Sequence, residues 1–264
     1  MFDLIIKLGF DIFQIFAQII LSSIIAFFLY YFLKDWKLAP VTLLTDIITM
    51  LAASILGILL PFNTFGMLPL FFVFLNVGYK YYQVMPVLLS NFIFNMSVPF
   101  KDPTFVFRTG YKRVLLAFVI GVIAGFILRK IRNTEWAFRN KQPEILYKSI
   151  GISNILKHIN QNINLMGIYM ILGVILNRLF NDYVMYTLTT QVASNSVTAF
   201  IPRYMSTFNV VSPGFLLALC IIYALLNISN ISALLLVMKP KGLMSIVGYY
   251  IVWIMILAIN MFIR

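Results

Sequence analysis

Apolar stretches close to the length that crosses a bilayer recur from end to end of this chain, with polar residues gathered in the intervals between them. A helix needs about 20 apolar residues to span the hydrocarbon. In the first half such stretches run over roughly 12–33, 41–60, 66–78, 80–98 and 113–129. In the second half they run over roughly 163–180, 184–200, 202–211, 213–237 and 242–262. The third of each half is too short to cross as a straight helix. With 62% hydrophobic and 11% charged residues among 264, the chain has more apolar surface than a soluble core of that size buries. The expected fold is all-α: a polytopic helical membrane protein of two repeated halves with broken or re-entrant helices.

The halves are joined by RKIRNTEWAFRNKQPEILYKSIGISNILKH at 129–158, which carries seven Lys or Arg residues against Glu135 and Glu144. Loops this basic stay on the cytoplasmic side. The domain reading is therefore a first transmembrane repeat over 1–128, a basic cytoplasmic linker over 129–162 and a second repeat over 163–264. Five crossings on each side of an inside linker put both ends outside and invert one half relative to the other. Lys34, Lys37, Lys80, Lys239 and Lys241 then fall inside, as the charge rule asks. Arg178 and the 100–113 loop, with Lys101, Arg108, Lys112 and Arg113, fall outside and count against it. Re-entry of either short segment would change the count. Within 144–159, Ile145, Ile152, Leu156 and Ile159 share a helical face flanked by Lys148 and Lys157. That pattern suits an amphipathic helix on the inner leaflet, or a solvated basic linker.

The net charge of +12 lies in these flanking runs, so it argues for the membrane surface and against nucleic acid. The lone cysteine, Cys220, sits in the apolar run FLLALCIIYALL, which excludes an internal disulfide and a thiolate metal cluster within one chain. Asp3 and Asp11 around Lys7 are unlike the basic leader of a cleavable signal peptide, so the first segment is expected to remain in the mature protein.

Two stretches stand out as corresponding parts of the halves: LPFNTFGMLPLFFVFLNVG at 60–78 and SNSVTAFIPRYMSTFNVV at 194–211. In each, a cluster of small and polar residues runs into a proline, Pro69 or Pro202, and the chain turns nine residues later, at Gly78 or Val211. The next apolar segments end in matching polar clusters, Asn91, Asn95 and Ser97 against Asn227, Ser229 and Asn230. A helix interrupted in the membrane frees backbone groups that can hold a solute, so paired breaks point to transport. Pro61 lacks an amide hydrogen and Gly66 relaxes the backbone around Asn63 and Thr64. Gln191, Ser194, Asn195, Ser196 and Thr198 give the second break the same content. Meeting near the midplane, the two would form one polar, uncharged site. The competing reading is that these Asn, Ser and Thr side chains tie helices together.

Ionisable groups are scarce in the apolar segments. Asp46 is the one carboxylate well inside a segment, a candidate proton or cation coupling site. The competing reading is a capping or snorkelling aspartate near the inner interface. Arg203 follows Pro202 without an acidic neighbour and would suit an anionic solute, or else reaches the headgroups. The single histidine, His158, lies in the basic stretch without neighbouring ligands, so neither a metal site nor a cofactor is expected. Asn91, Asn95, Asn227 and Asn230 are further polar candidates.

The segment LPFNTFGMLPLFFVFLNVG resembles the pattern LPFCSCGxxPLxxxLxxxG of the predicted-permease family that includes the organoarsenical efflux permeases. FIPRYMSTFNVVSPGFLLAL is similar to that family's second repeat, and SALLLVMKPKGLMSIVGYYIV to its ending, a basic loop before a final hydrophobic helix. The resemblance rests on Pro61, Gly66, Pro69, Gly78, Pro202, Ser212, Pro213 and Gly214 and covers most of the chain outside the linker. It implies a permease whose site lies where the broken segments meet. Asn63 and Phe65 stand where the family pattern has cysteines, so soft capture of a metal or metalloid does not carry over.

The sequence thus leads to a non-enzymatic permease that moves a small solute or ion across the cytoplasmic membrane of a prokaryote by alternating access. Asn63, Thr64, Gly66, Pro69, Gln191, Asn195, Ser196 and Arg203 would line its site. No Gly-rich Lys-Ser/Thr nucleotide loop is present in the chain, so energy comes from a gradient or a separate subunit. The alternative is a non-transporting membrane subunit that binds a partner through the 129–158 loop; a homo-oligomer is compatible with either. An intramembrane enzyme ranks last, because no Ser-His, His-Glu or paired-Asp constellation is apparent.

Overall fold

The structure, a computed structural model, describes residues 2–35, 42–94, 103–130, 137–139, 150–192, 217–218, 221–222, 224–225 and 227–262. Their helices are α1 (Phe2–Leu33), α2 (Leu43–Leu59), α3 (Thr64–Val77), α4 (Tyr81–Phe94), α5 (Pro103–Lys130), α6 (Ile152–Val192), α7 (Ile228–Val237) and α8 (Pro240–Phe262). Four stretches within them are long and apolar enough to cross a membrane: Leu8–Leu33, Gly110–Lys130, Ile152–Leu176 and Pro240–Leu257. The fold is all-α with the architecture of a helical membrane protein. Phe10, Phe13 and Phe32 project outward from α1 and Met255 and Ile259 from α8, as lipid-facing side chains do.

Local chemistry sets the boundaries of the first half. Thr42 caps α2 through a reciprocal exchange with Thr45: each side chain accepts the other's amide hydrogen, at 3.2 and 2.8 Å. Pro61 follows the last turn, and α3 starts afresh behind Asn63. At its far end Gly78 has φ 109°, the left-handed conformation that ends a helix and costs an L side chain strain. The chain then reverses directly into α4.

Helices α2, α4 and α5 pack through small residues that let backbones approach. A Cβ on Gly57 would lie 2.2 Å from both Ser90 Oγ and Val87 O, and one on Gly121 would lie 2.6 Å from Ser54 Oγ. Asp46 meets Gln83 while Gly57 meets Val87, so α2 and α4 run parallel. Gly121 lies against Pro86 and Gly125 against Tyr82, so α5 runs antiparallel to α4. α3 packs mainly on α1, which pairs antiparallel with α6. The second half reaches back across the first: on α8, Tyr249 donates to Ile120 O at 2.6 Å, and the buried Tyr250 to Leu89 O at 3.5 Å.

Linker residues 137–139 are built into the body. Phe138 and Met238 form an antiparallel bridge, in which Arg139 N–H donates to Val237 O at 2.9 Å and Lys239 N–H to Ala137 O at 2.8 Å. The Phe138 ring stacks on Tyr81 at 4.0 Å and 12°. Tyr81 begins α4 with Lys80 just before it, Gln83 and Arg129 both donate to Asp46, and Lys239 precedes α8. One end of the bundle therefore gathers Lys80, Arg129, Arg139 and Lys239.

The boundaries depart from expectation in three places. The segments 163–180 and 184–200 are not separated: α6 runs unbroken from Ile152 through Val192, 41 residues or about 60 Å. Asn181 and Asp182 read as a turn by polarity, but neither proline nor glycine stands there to break the helix. Helix α6 also begins inside the stretch read as linker, which puts Leu156, Lys157 and His158 on a helix long and apolar enough to span. Likewise α5 starts at Pro103, a favoured first helical residue, so Arg108, Lys112 and Arg113 lie on a helix instead of in a loop.

Candidate functional site

The break between α2 and α3 is a compact knot of amide chemistry. Asn63 Oδ1 accepts from Gly66 N–H at 2.8 Å, taking up one of the donors that a helix start leaves without a partner. The Asn63 N–H donates to Gln18 Oε1 of α1, also at 2.8 Å. From α4, Asn91 Nδ2 donates to both Gly57 O and Phe62 O at 3.1 Å, clasping carbonyls on either side of Pro61. The other end of the same amide, Asn91 Oδ1, is buried without a partner among the described residues. Gly66 is confined: a Cβ there would sit 3.1 Å from Phe62 Cβ and 3.3 Å from Asn63 Oδ1. Pro69 is buried within α3, which continues through it; the interruption is at 60–63, ahead of Pro69.

The second half meets this knot through α7. Thr64 Oγ1 donates to Asn230 Oδ1, and Asn230 Nδ2 donates to Ala224 O at 3.0 Å. Asn227 caps α7, accepting from Ser229 N–H at 3.0 Å. Two helix starts, each capped by an asparagine, thus converge from the two halves. Helix starts present amide hydrogens and a partial positive charge, which favour the polar or anionic end of a ligand. Asn91 Oδ1 adds one acceptor.

Asp46 is neither a cap nor a snorkelling side chain. Its exposure is 0%, and Thr42 holds the cap position. Arg129 Nε donates to Oδ2 at 2.7 Å, while Gln83 Nε2 and Tyr82 OH donate to Oδ1 at 2.8 and 3.1 Å. Gln83 Oε1 in turn accepts from Lys80 N–H at 2.8 Å. Both carboxylate oxygens are engaged by donors from α4 and α5, which is the geometry of a fastening between helices.

The break thus brings together Asn63, Thr64, Gly66, Asn91 and Asn230, with Asn227 capping the adjoining helix. Sequence reasoning missed Gln18, whose place in α1 gives no local cue, and Arg129, which was read as the first residue of the loop. Gln191 lies in α6 with its side chain outside the described residues. Asn95, Asn195, Ser196 and Arg203 lie outside the described residues altogether. Among those described, no group of three or more His, Cys, Asp or Glu residues is placed to hold a metal ion. No protein-family model, curated protein or solved structure matches the chain.

Proposed function

We propose that this protein is a permease that moves a small solute across the membrane by alternating access, with its site where the break at 60–63 meets the start of α7. The observation that carries the reading is the Thr64–Asn230 hydrogen bond, which joins helix starts 166 residues apart in the chain. A packing role alone asks only that buried polar groups be satisfied, whereas here Asn91 keeps an acceptor beside the break that is unpartnered among the described residues. Amides, hydroxyls and helix-start N–H groups suit a neutral, zwitterionic or anionic solute, and the absence of cysteine at Asn63 and Phe65 disfavours a soft metal. The resemblance quoted above supports the same role. On this reading the end that gathers Lys80, Arg129, Arg139 and Lys239 faces the cytoplasm.

The test is thermal stabilisation of the detergent-purified protein by a panel of amino acids, inorganic anions, metal ions and metalloids, repeated with Asn63→Ala and Asn230→Ala. A compound that raises the melting temperature of wild type and of neither variant supports the reading. A panel without effect on folded wild type, or stabilisation unchanged in both variants, counts against it.

A further inference from the structure

A second polar cluster lies between α1 and α6, and the break does not use it. Ser23 and Asn162 are 0% exposed and His158 is 1% exposed, all three within stretches long and apolar enough to span a membrane. Asn162 Nδ2 donates to Ser23 Oγ at 3.0 Å and faces His158 Nε2 at 3.1 Å. With the amide nitrogen donating, Nε2 accepts, and the hydrogen of the neutral ring sits on Nδ1, a tautomer assigned from this network. That leaves His158 Nδ1 and Asn162 Oδ1, a donor and an acceptor, both buried and both without a partner among the described residues. Unpaired polar atoms between spanning helices are costly, and an ionisable residue placed there is a functional candidate.

We infer that His158, held by Asn162 and Ser23, is a proton-binding site in the membrane interior, through which protons drive or gate the permease cycle. The coupling rests on the permease reading above; the proton site does not. The three residues accommodate the ring in either state. When Nε2 takes a proton from water, half a turn of the Asn162 amide presents Oδ1 to the new N–H. The Ser23 hydroxyl, donor and acceptor alike, follows that turn. Release returns the proton to water, and no other bond changes.

The surroundings make the charge consequential. From α1, Phe27 lies against the His158 ring at 6.0 Å, and Tyr31 packs on Phe27 at 5.0 Å. Lys34 lies over Tyr31 at 4.3 Å, and it and Asp35 are exposed beyond the end of α1. Lys157, next to the histidine on α6, is exposed. Helices α3 and α7, which also pack on α6, carry no ionisable side chain. No charged group among these neutralises a protonated ring, so water must reach the α1–α6 seam when the proton arrives. Five residues before Ser23, Gln18 holds Asn63 at the break, which places both sites on one helix.

The chain has one histidine, so its ring nitrogens can be observed without assignment. We would label the full-length protein with ring-15N histidine, place it in lipid nanodiscs and record nitrogen spectra between about pH 4 and about pH 9, either side of the ordinary histidine value. The expected result is a neutral ring protonated on Nδ1 that converts to imidazolium on acidification. Ser23→Ala and Asn162→Leu should move the midpoint by about one pH unit, tenfold in proton affinity. A ring whose spectrum stays constant across the range overturns the proposal, and so does a midpoint that neither substitution moves. Wild type alone decides the first point even if a variant fails to fold. The titration needs no solute, so a titrating ring in protein that no panel compound stabilises removes the coupling while the proton site stands.

Discussion

Two polar knots interrupt the apolar body of the first half, and they are built on opposite principles. Around Asp46, three donors from α4 and α5 meet one buried carboxylate. At the break, Asn91 satisfies two carbonyls yet keeps a buried oxygen of its own without a donor among the described residues. A set of partners that reaches both oxygens fastens the helices. An incomplete set sacrifices stability and keeps a place open. The more strongly charged residue is therefore the structural one, and the uncharged amides are the candidates for binding.

Substitutions can press on that contrast, and the fastening should break hardest. Arg129→Leu leaves the Asp46 carboxylate buried without its cation, which should cost about 3 kcal/mol, the lower end for a broken buried pair because the arginine is partly exposed. Melting followed by tryptophan fluorescence would read it, and the double variant Asp46→Leu with Arg129→Leu should recover most of the loss. Asn91→Leu frees Gly57 O and Phe62 O but also removes the unpartnered oxygen, so a smaller loss of about 2 kcal/mol is expected. If Asn91→Leu proves the more damaging, the contrast between the knots is reversed. Gly78→Ala places a side chain at φ 109° and should cost about 1 kcal/mol with solute binding intact, measured as an unchanged thermal shift from a stabilising compound. Thr64→Val keeps shape and loses only the bond to Asn230, so its melting temperature should fall least, by an amount equivalent to about 0.5–1 kcal/mol, while the shift from that compound disappears.

How far each region was legible follows from how local its cause is. The break at 60–63 and the turn at Gly78 are announced by Pro61, Asn63 and a glycine that needs a positive φ, all within a few residues. Partners across the chain are invisible to that kind of reading. Nothing near Asn63 points to Gln18, and Asn230 ranked behind Asn195 only because Asn195 belongs to the more conspicuous cluster. Hydropathy also misled where polarity is internal. Asn160, Gln161, Asn162 and Asn164 lower the apolar average around His158, so the start of α6 reads as linker, although Asn162 turns inward to Ser23. Asp46 and Arg129 are 83 residues apart, and an ion pair at that separation has no sequence signature.

The bridge between Phe138 and Met238 has a consequence for biosynthesis. Arg139 and the Met238 carbonyl that it binds are 99 residues apart, so a ribosome that has just released the linker has yet to make the strand-like partner it docks on. Tyr81 can receive the Phe138 ring and the Arg139 carbonyl early, but the bonds to Val237, Met238 and Lys239 wait until the second half has been made through α7. Docking of 137–139 is then a closing step of assembly, a latch that registers that both halves are in place.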